Sequence, residues 1–157
     1  MGRLQDSRLV SRRLALLSRG LYAGHDHVGA RALPERPEDL DNCRLLMLDA
    51  DLAQRELTLR DGAETRTLAL DGHIRVNSVA MLRELTIAGA GVALLPDALL
   101  AREIVDARVV RILPQWQASP IEAHLLYRDR ALLPQRVRLM IEHLIAWFDG
   151  RDRTGGL

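Results

Sequence analysis

Lysine is absent from this chain of 157 residues: all 22 basic residues are arginine. That excludes a Schiff-base lysine, a Walker A lysine and a lysine general base. We read the bias as one of genome composition. Cysteine is nearly absent too. The single Cys43 excludes an internal disulfide and a multi-cysteine metal cage, and it agrees with a reducing cytoplasm. Long apolar runs are lacking. Leu14–Leu17 is far too short for a signal core or a membrane span, so no targeting or membrane segment and a cytoplasmic location are expected. Excess charge of one sign is missing as well. The net charge of +1 gives no electrostatic footprint for nucleic acid. What is present, 48% hydrophobic and 27% charged residues, is an ordinary globular balance. The length allows one domain or two small lobes with a real core.

The alternation of apolar and arginine positions in Leu9–Tyr22 predicts a half-buried strand, with Gly20 and Gly24 as bends, rather than a basic arm. His25–Ala32 reads as a short helix. Pro34 and Pro37 bracket a turn, and Glu38–Leu40 starts a helical turn. Leu45–Leu48 is a buried strand. Glu56–Leu59, Asp61-Gly62 and Thr65–Leu70 form a hairpin, and Asp71-Gly72 marks a further turn. Asp97–Val105 is helical and Val109–Leu113 extended. Ser119-Pro120 breaks the pattern before a strand at Ala123–Tyr127. Pro134 opens a final helix, with Val137, Met140, Ile141, Leu144, Ile145 and Phe148 at helical spacing. Gly150 should end it, leaving Arg151–Leu157 as a disordered tail. Helices alternating with apolar strands define an α/β chain.

The most informative stretch is Ile74–Pro96. It reads as a strand, a helix capped by Ser78, a turn at Gly89 and Gly91, and the unbroken apolar strand Val92–Leu95, which suits burial on both faces. Val79, Leu82, Leu85 and Gly89 share one helical stripe. Asn77 and Ser78 sit where the first strand ends and the helix begins, a common place for a small polar ligand. A plain helix cap is the competing reading.

The same stretch, "RVNSVAMLRELTIAGAGVALLPD", resembles the signature of the effector-binding domain of LysR-type transcriptional regulators. Asp6–Leu14 is similar to that family's "DSSLVARRL" strand, and Arg36–Leu40 to its "TPEDL" helix start. Val109–Trp116 resembles "LVRVLPDW", and Leu133–Arg138 resembles "LPAKVR". The resemblance spans about residues 3–148. It implies a periplasmic-binding-protein type 2-like fold, present as one complete lobe plus a remnant of the other. Residues 1–23 would be the crossing strand and first-lobe remnant, and 24–121 the second lobe. Residues 122–149 would be the returning strand and final helix, and 150–157 the tail. The winged helix-turn-helix of such regulators would be missing, so no direct DNA contact is expected. A small polar or carboxylate effector is implied as ligand, with a homo-oligomer through the regulatory domain. The final helix should then expose part of its apolar stripe, leaving the first-lobe remnant poorly held.

By the same resemblance, effector contacts are expected at Asn77, Ser78 and Val79, and at Gly24 and His25, which stand where the family usually has Ser-Pro. His25 either replaces a lost polar contact or lies in a solvated turn. Other chemistry is weak. His25-Asp26-His27 lacks a third ligand, so no metal or cofactor is expected. The serines Ser7, Ser11, Ser18, Ser78 and Ser119 lack an elbow motif. Gly89 and Gly91 follow a helix, the reverse of a dinucleotide fingerprint. Asp49 and Asp51 read as a solvated loop. The chain is expected not to be an enzyme. A stand-alone periplasmic-type solute-binding module is the alternative.

Overall fold

A computed structural model of the chain describes residues 9–30, 33–52, 56–69, 73–128 and 133–152. The chain divides into two compact units, one of residues 1–17 and 121–157 and one of Ser18–Pro120. Hydrogen-bonded strands follow the order β4-β3-β8-β1-β6-β2-β5, with β7 also on β1. β1 (Leu9–Gly24) and β8 (Gln117–Arg128) lend residues to both units.

The Ser18–Pro120 unit holds α1 (His25–Ala30), β2 (Leu45–Leu48), α2 (Asp49–Leu52), β3 (Glu56–Asp61), β4 (Glu64–Ala69) and β5 (Ile74–Val76). It continues with α3 (Val79–Ile87), β6 (Val92–Pro96), α4 (Ala101–Val105) and β7 (Val109–Ile112). A 3-10 turn at Pro37–Asn42 stands at the predicted helical turn. β2 runs parallel to β5 and to β6, with Leu48 opposite Val76. β1 lies antiparallel to β6 and to β7. The strand period of two divides the core. Leu21, Ala23, Leu45, Met47, Val92 and Leu94 point to one face with Trp116 and Leu59. Tyr22, Leu46, Ala93 and Leu95 point to the other, with Leu82 of α3 and Leu100. Burial on both faces is what the unbroken run Val92–Leu95 requires. Leu46, Leu95 and Leu100 are 0% exposed, and each such side chain contributes about 1.5–3 kcal/mol.

Four local expectations need correcting. β1 does not bend at Gly20; its ladder continues, with Gly20 opposite Leu95. The helix expected from Asp97 to Val105 is a 3-10 turn at Asp97–Leu99 followed by α4. The Asp97 carboxylate is taken by Tyr22 and Arg111. β8 runs through Pro120, which lies beyond its pairs with β3 at Gln117 and Ala118. α5 (Gln135–Asp152) passes through Gly150, which costs a helix only about 1 kcal/mol. Arg3, Arg8, Leu70, Asp71-Gly72 and residues 153–157 lie outside the described residues.

In the other unit, Ala15, Ile141 and Ile145 are buried. Val10, Leu16, Ile121, Leu126, Met140 and Trp147 are exposed, so this unit presents apolar surface. Val137 and Met140, placed by sequence on the buried stripe of α5, are 37% and 59% exposed.

Candidate functional site

Parallel strands β2 and β5 end side by side, so the residues that follow them, Asp49 and Asn77, meet at one edge of the sheet. Carboxyl ends of parallel strands are where α/β folds hold ligands. An open cleft of about 670 Å³ lies there, lined by Asp49, Arg75, Asn77, Ser78, Met81 and Glu84, with Val76 and Ala80. Its size suits a small metabolite. Ser78 is the N-cap of α3: its Oγ accepts from the Met81 N–H at 3.5 Å. That bond is long, and a hydroxyl has a donor and a second lone pair to spare. Arg75 Nε pairs with Asp49 Oδ1 at 3.4 Å, and both side chains are more than half exposed. Asn77 and Ser78 are exposed as well, and Val79, 37% exposed, opens the helix beside them. The cleft therefore offers charge of both signs, an amide, a hydroxyl and the positive end of α3, over an apolar floor.

Gly24 and His25 are not brought to this cleft. A Cβ on Gly24 would stand 2.5 Å from Thr86 O and 2.8 Å from Gly89 N, at the far end of α3. Nine helical residues separate the two ends by about 13 Å. His25 is exposed and donates its backbone N–H to Arg108 O. Its neighbour His27 bonds Gly89 O through Nδ1 at 3.1 Å, so this pair of histidines anchors α1 against neighbouring backbone.

The sequence reading missed the two aspartates after β2. They sit in the turn of α2; Asp49 is more than half exposed, as expected, whereas Asp51 is engaged rather than solvated. Asp51 Oδ1 meets Arg19 Nη1 at 2.8 Å, with side chains only 18% and 11% exposed. Arg19 Nε donates to Ser119 O at 3.0 Å. The signal was available: an acidic residue directly after an apolar parallel strand sits at the ligand edge of the sheet. Asp97, directly after β6, obeys the same rule. It accepts the Tyr22 hydroxyl at 2.9 Å and pairs with Arg111 at 3.4 Å. Burial, then the Asp97 carboxylate, push the Tyr22 phenol up to about 12.

A second polar group lies across the crossing strands. Ser11 Oγ stands 3.1 Å from His124 Nδ1, and His124 Nε2 stands 2.9 Å from Glu122 Oε2. Arg13 joins Glu122 at 3.2 Å. The His124 hydrogen bond and Arg13 hold the Glu122 carboxyl below its usual range. The order of groups is that of a nucleophile, base and orienting acid. The side chains of His124 and Glu122 are 38% and 49% exposed. Water there screens any developing charge, and the group serves the pairing of the two strands.

A mixed sheet in which two strands lend residues to both units, with parallel strands ending at a candidate site, fits the periplasmic-binding-protein type 2-like class. The LysR substrate binding domain family matches residues 1–149. This chain belongs to that family. It is 30% identical over 149 residues to the HTH-type transcriptional activator AaeR of Escherichia coli, covering 94% of this chain and 48% of AaeR. It is 33% identical over 109 residues to the HTH-type transcriptional regulator PtxR of Pseudomonas aeruginosa, covering 69% of this chain and 35% of PtxR. The regulatory domain of AphB in Vibrio vulnificus superposes with a TM-score of 0.74 at 33% identity, over 93% of this chain and 72% of that domain. The chain thus spans about half the length of AaeR, at 48%.

Proposed function

We propose that this chain is the effector-recognition part of a LysR-type transcriptional regulator, and that a small polar or carboxylate metabolite seats at Asn77 and Ser78. The observation that carries the reading is the cleft at the ends of β2 and β5, where a weakly engaged N-cap hydroxyl stands beside the Arg75–Asp49 pair. The ligand's polar group replaces water on Ser78, Asn77 and the first N–H groups of α3. Its charge competes with Asp49 for Arg75. In this reading the part runs as a second lobe of about residues 24–121 and a first-lobe remnant. The effector shifts lobe arrangement by its differential affinity for the two states. The protein works without cofactor or catalysis, in the cytoplasm, as a homo-oligomer, and this part does not itself touch DNA. Among the described residues no helix is long and apolar enough to cross a membrane. The relatives are transcriptional regulators, so the solute-binding-module alternative is not favoured.

The test is a nuclear magnetic resonance screen of small carboxylates at millimolar concentration. An effector shifts the amides of Asn77, Ser78 and Met81 saturably, and Ser78→Ala and Arg75→Gln each weaken it about tenfold, an effect of about 1.4 kcal/mol. Hits that perturb only residues away from this edge refute the assignment. A tight, salt-resistant gel shift with promoter DNA refutes the claim that this part makes no DNA contact.

A further inference from the structure

The Ser18–Pro120 unit has a second cavity, at the opposite end of β6 from the ligand edge. It encloses about 380 Å³ beside Val92, the first residue of that strand. Its wall carries Glu35, Arg36, Asn42 and His27, with Leu33, Pro34 and Cys43 among the remainder. The volume falls in the range of small-molecule pockets.

Three local facts decide what it would hold. First, Asp39 is already engaged: its Oδ2 accepts the backbone N–H of Glu35 at 3.1 Å and of Arg36 at 3.0 Å. Those two bonds fix the backbone of the rim and leave both rim side chains unused by it. Second, neither Glu35 nor Arg36 forms an ion pair among the described residues. Adjacent and opposite in sign, the two give the rim one acidic and one basic group. Third, Gly89 O can only accept, so the His27 Nδ1 bonded to it carries the proton. That leaves Nε2 as the ring's remaining hydrogen-bonding atom.

A ligand with a single charge answers one rim group and repels the other. A ligand with an ammonium and a carboxylate answers both, while Leu33, Pro34 and Val92 accommodate a short aliphatic chain. We infer that this cavity is a second ligand site, for a small aliphatic α-amino acid bound as its zwitterion. Arg36 takes the carboxylate and Glu35 the ammonium, with Asn42 and His27 as further hydrogen-bonding groups. His27 also ties the site to Gly89, just past the end of α3, whose first turn borders the cleft. The site stands independently of the effector reading.

The probe is L-valine, titrated into the isotopically labelled chain, with 3-methylbutanoate and 2-methylpropan-1-amine as its acid-only and amine-only counterparts. L-Valine is expected to shift the amides of Asn42, Cys43 and Gly89 saturably, at least tenfold more tightly than either counterpart. Arg36→Gln and Glu35→Gln should each weaken it about tenfold, while Ser78→Ala leaves it unchanged. Both rim side chains are exposed, so these variants keep the fold. Absence of saturable shifts at these amides overturns the inference. So does equal binding of the acid-only compound, or loss of L-valine binding in Ser78→Ala with retention in Arg36→Gln.

Discussion

The pair Arg19–Asp51 offers the sharpest test of how this unit is held. Arg19 lies on β1 and Asp51 on α2, 32 residues apart, and their side chains are 11% and 18% exposed. At 2.8 Å and an effective dielectric near 20, the gross attraction is about 6 kcal/mol. Desolvation of two largely buried ions cancels most of it. Removing one partner leaves the other short of a counter-charge, although Arg19 keeps Ser119 O and Glu56 lines the same small cavity. We therefore expect Asp51→Asn and Arg19→Met each to cost about 2 kcal/mol, below the 3–5 of a fully buried pair. The double variant should cost about 2.5 kcal/mol, a coupling of about 1.5. The assay is urea unfolding followed by the fluorescence of Trp116, a core residue at 6% exposure. Trp147→Phe as background removes the other of the two tryptophans. An unchanged slope would show that stability alone has moved. The exposed pair Arg66–Glu38 is the control, expected to contribute under about 1 kcal/mol. Single losses below about 0.5 kcal/mol, or strict additivity, would refute the reasoning.

Gly91→Ala should cost more than about 3 kcal/mol, because its Cβ would stand 2.2 Å from the backbone oxygen of Arg44; the urea midpoint reads this directly. Ser78→Ala should cost about 0.5–1 kcal/mol for the lost cap, the low end because the bond is 3.5 Å. For Tyr22, a folded-state pKa of about 12 against 10.0 means the folded state holds the phenol proton more tightly. Its contribution is intact below pH 10 and is lost as pH rises from there toward 12, which ultraviolet titration and alkaline unfolding, compared with Tyr22→Phe, will follow. Amides of α5 should exchange faster than those of β2 and β6, since Leu139, Met140 and Trp147 are exposed. Equal protection from Leu9 through Phe148 would contradict that.

The buried strands were legible because their chemistry is local. Leu45–Leu48 and Val92–Leu95 are apolar runs bounded by polar or turn residues, and each became a strand buried on both faces. The hairpin followed from Asp61-Gly62, and the start of α3 from Ser78. What failed to show were features settled by partners distant in sequence. Gly20 looks like a bend, yet it stays extended because β6 pairs with it 75 residues away. Asp97 looks like the start of one continuous helix, yet a 3-10 turn stands there and Tyr22 and Arg111 claim its carboxylate. Pro120 looks like a breaker, yet β8 carries on through it, beyond the pairs that Gln117 and Ala118 make with β3.

The candidate site divides along the same line. Asn77 and Ser78 could be placed because a strand end, a cap and a helix start are contiguous in sequence. Gly24 could not, because the reason for glycine there lies in α3: backbone atoms of Thr86, Ile87 and Gly89 occupy the space of any side chain. That contact orients α3 from its last turn, while Asn77 and Ser78 border the cleft at its first. A 13 Å helix whose rear is seated against backbone cannot tilt freely at its front. Gly24→Ala is therefore expected to do more than destabilise. By pushing the last turn outward it should displace the Met81 and Ser78 amides at the cleft, visible as shifts in the unliganded chain. An unchanged resonance pattern at Asn77, Ser78 and Met81, with the fold retained, would mean that the two ends of α3 are not mechanically linked.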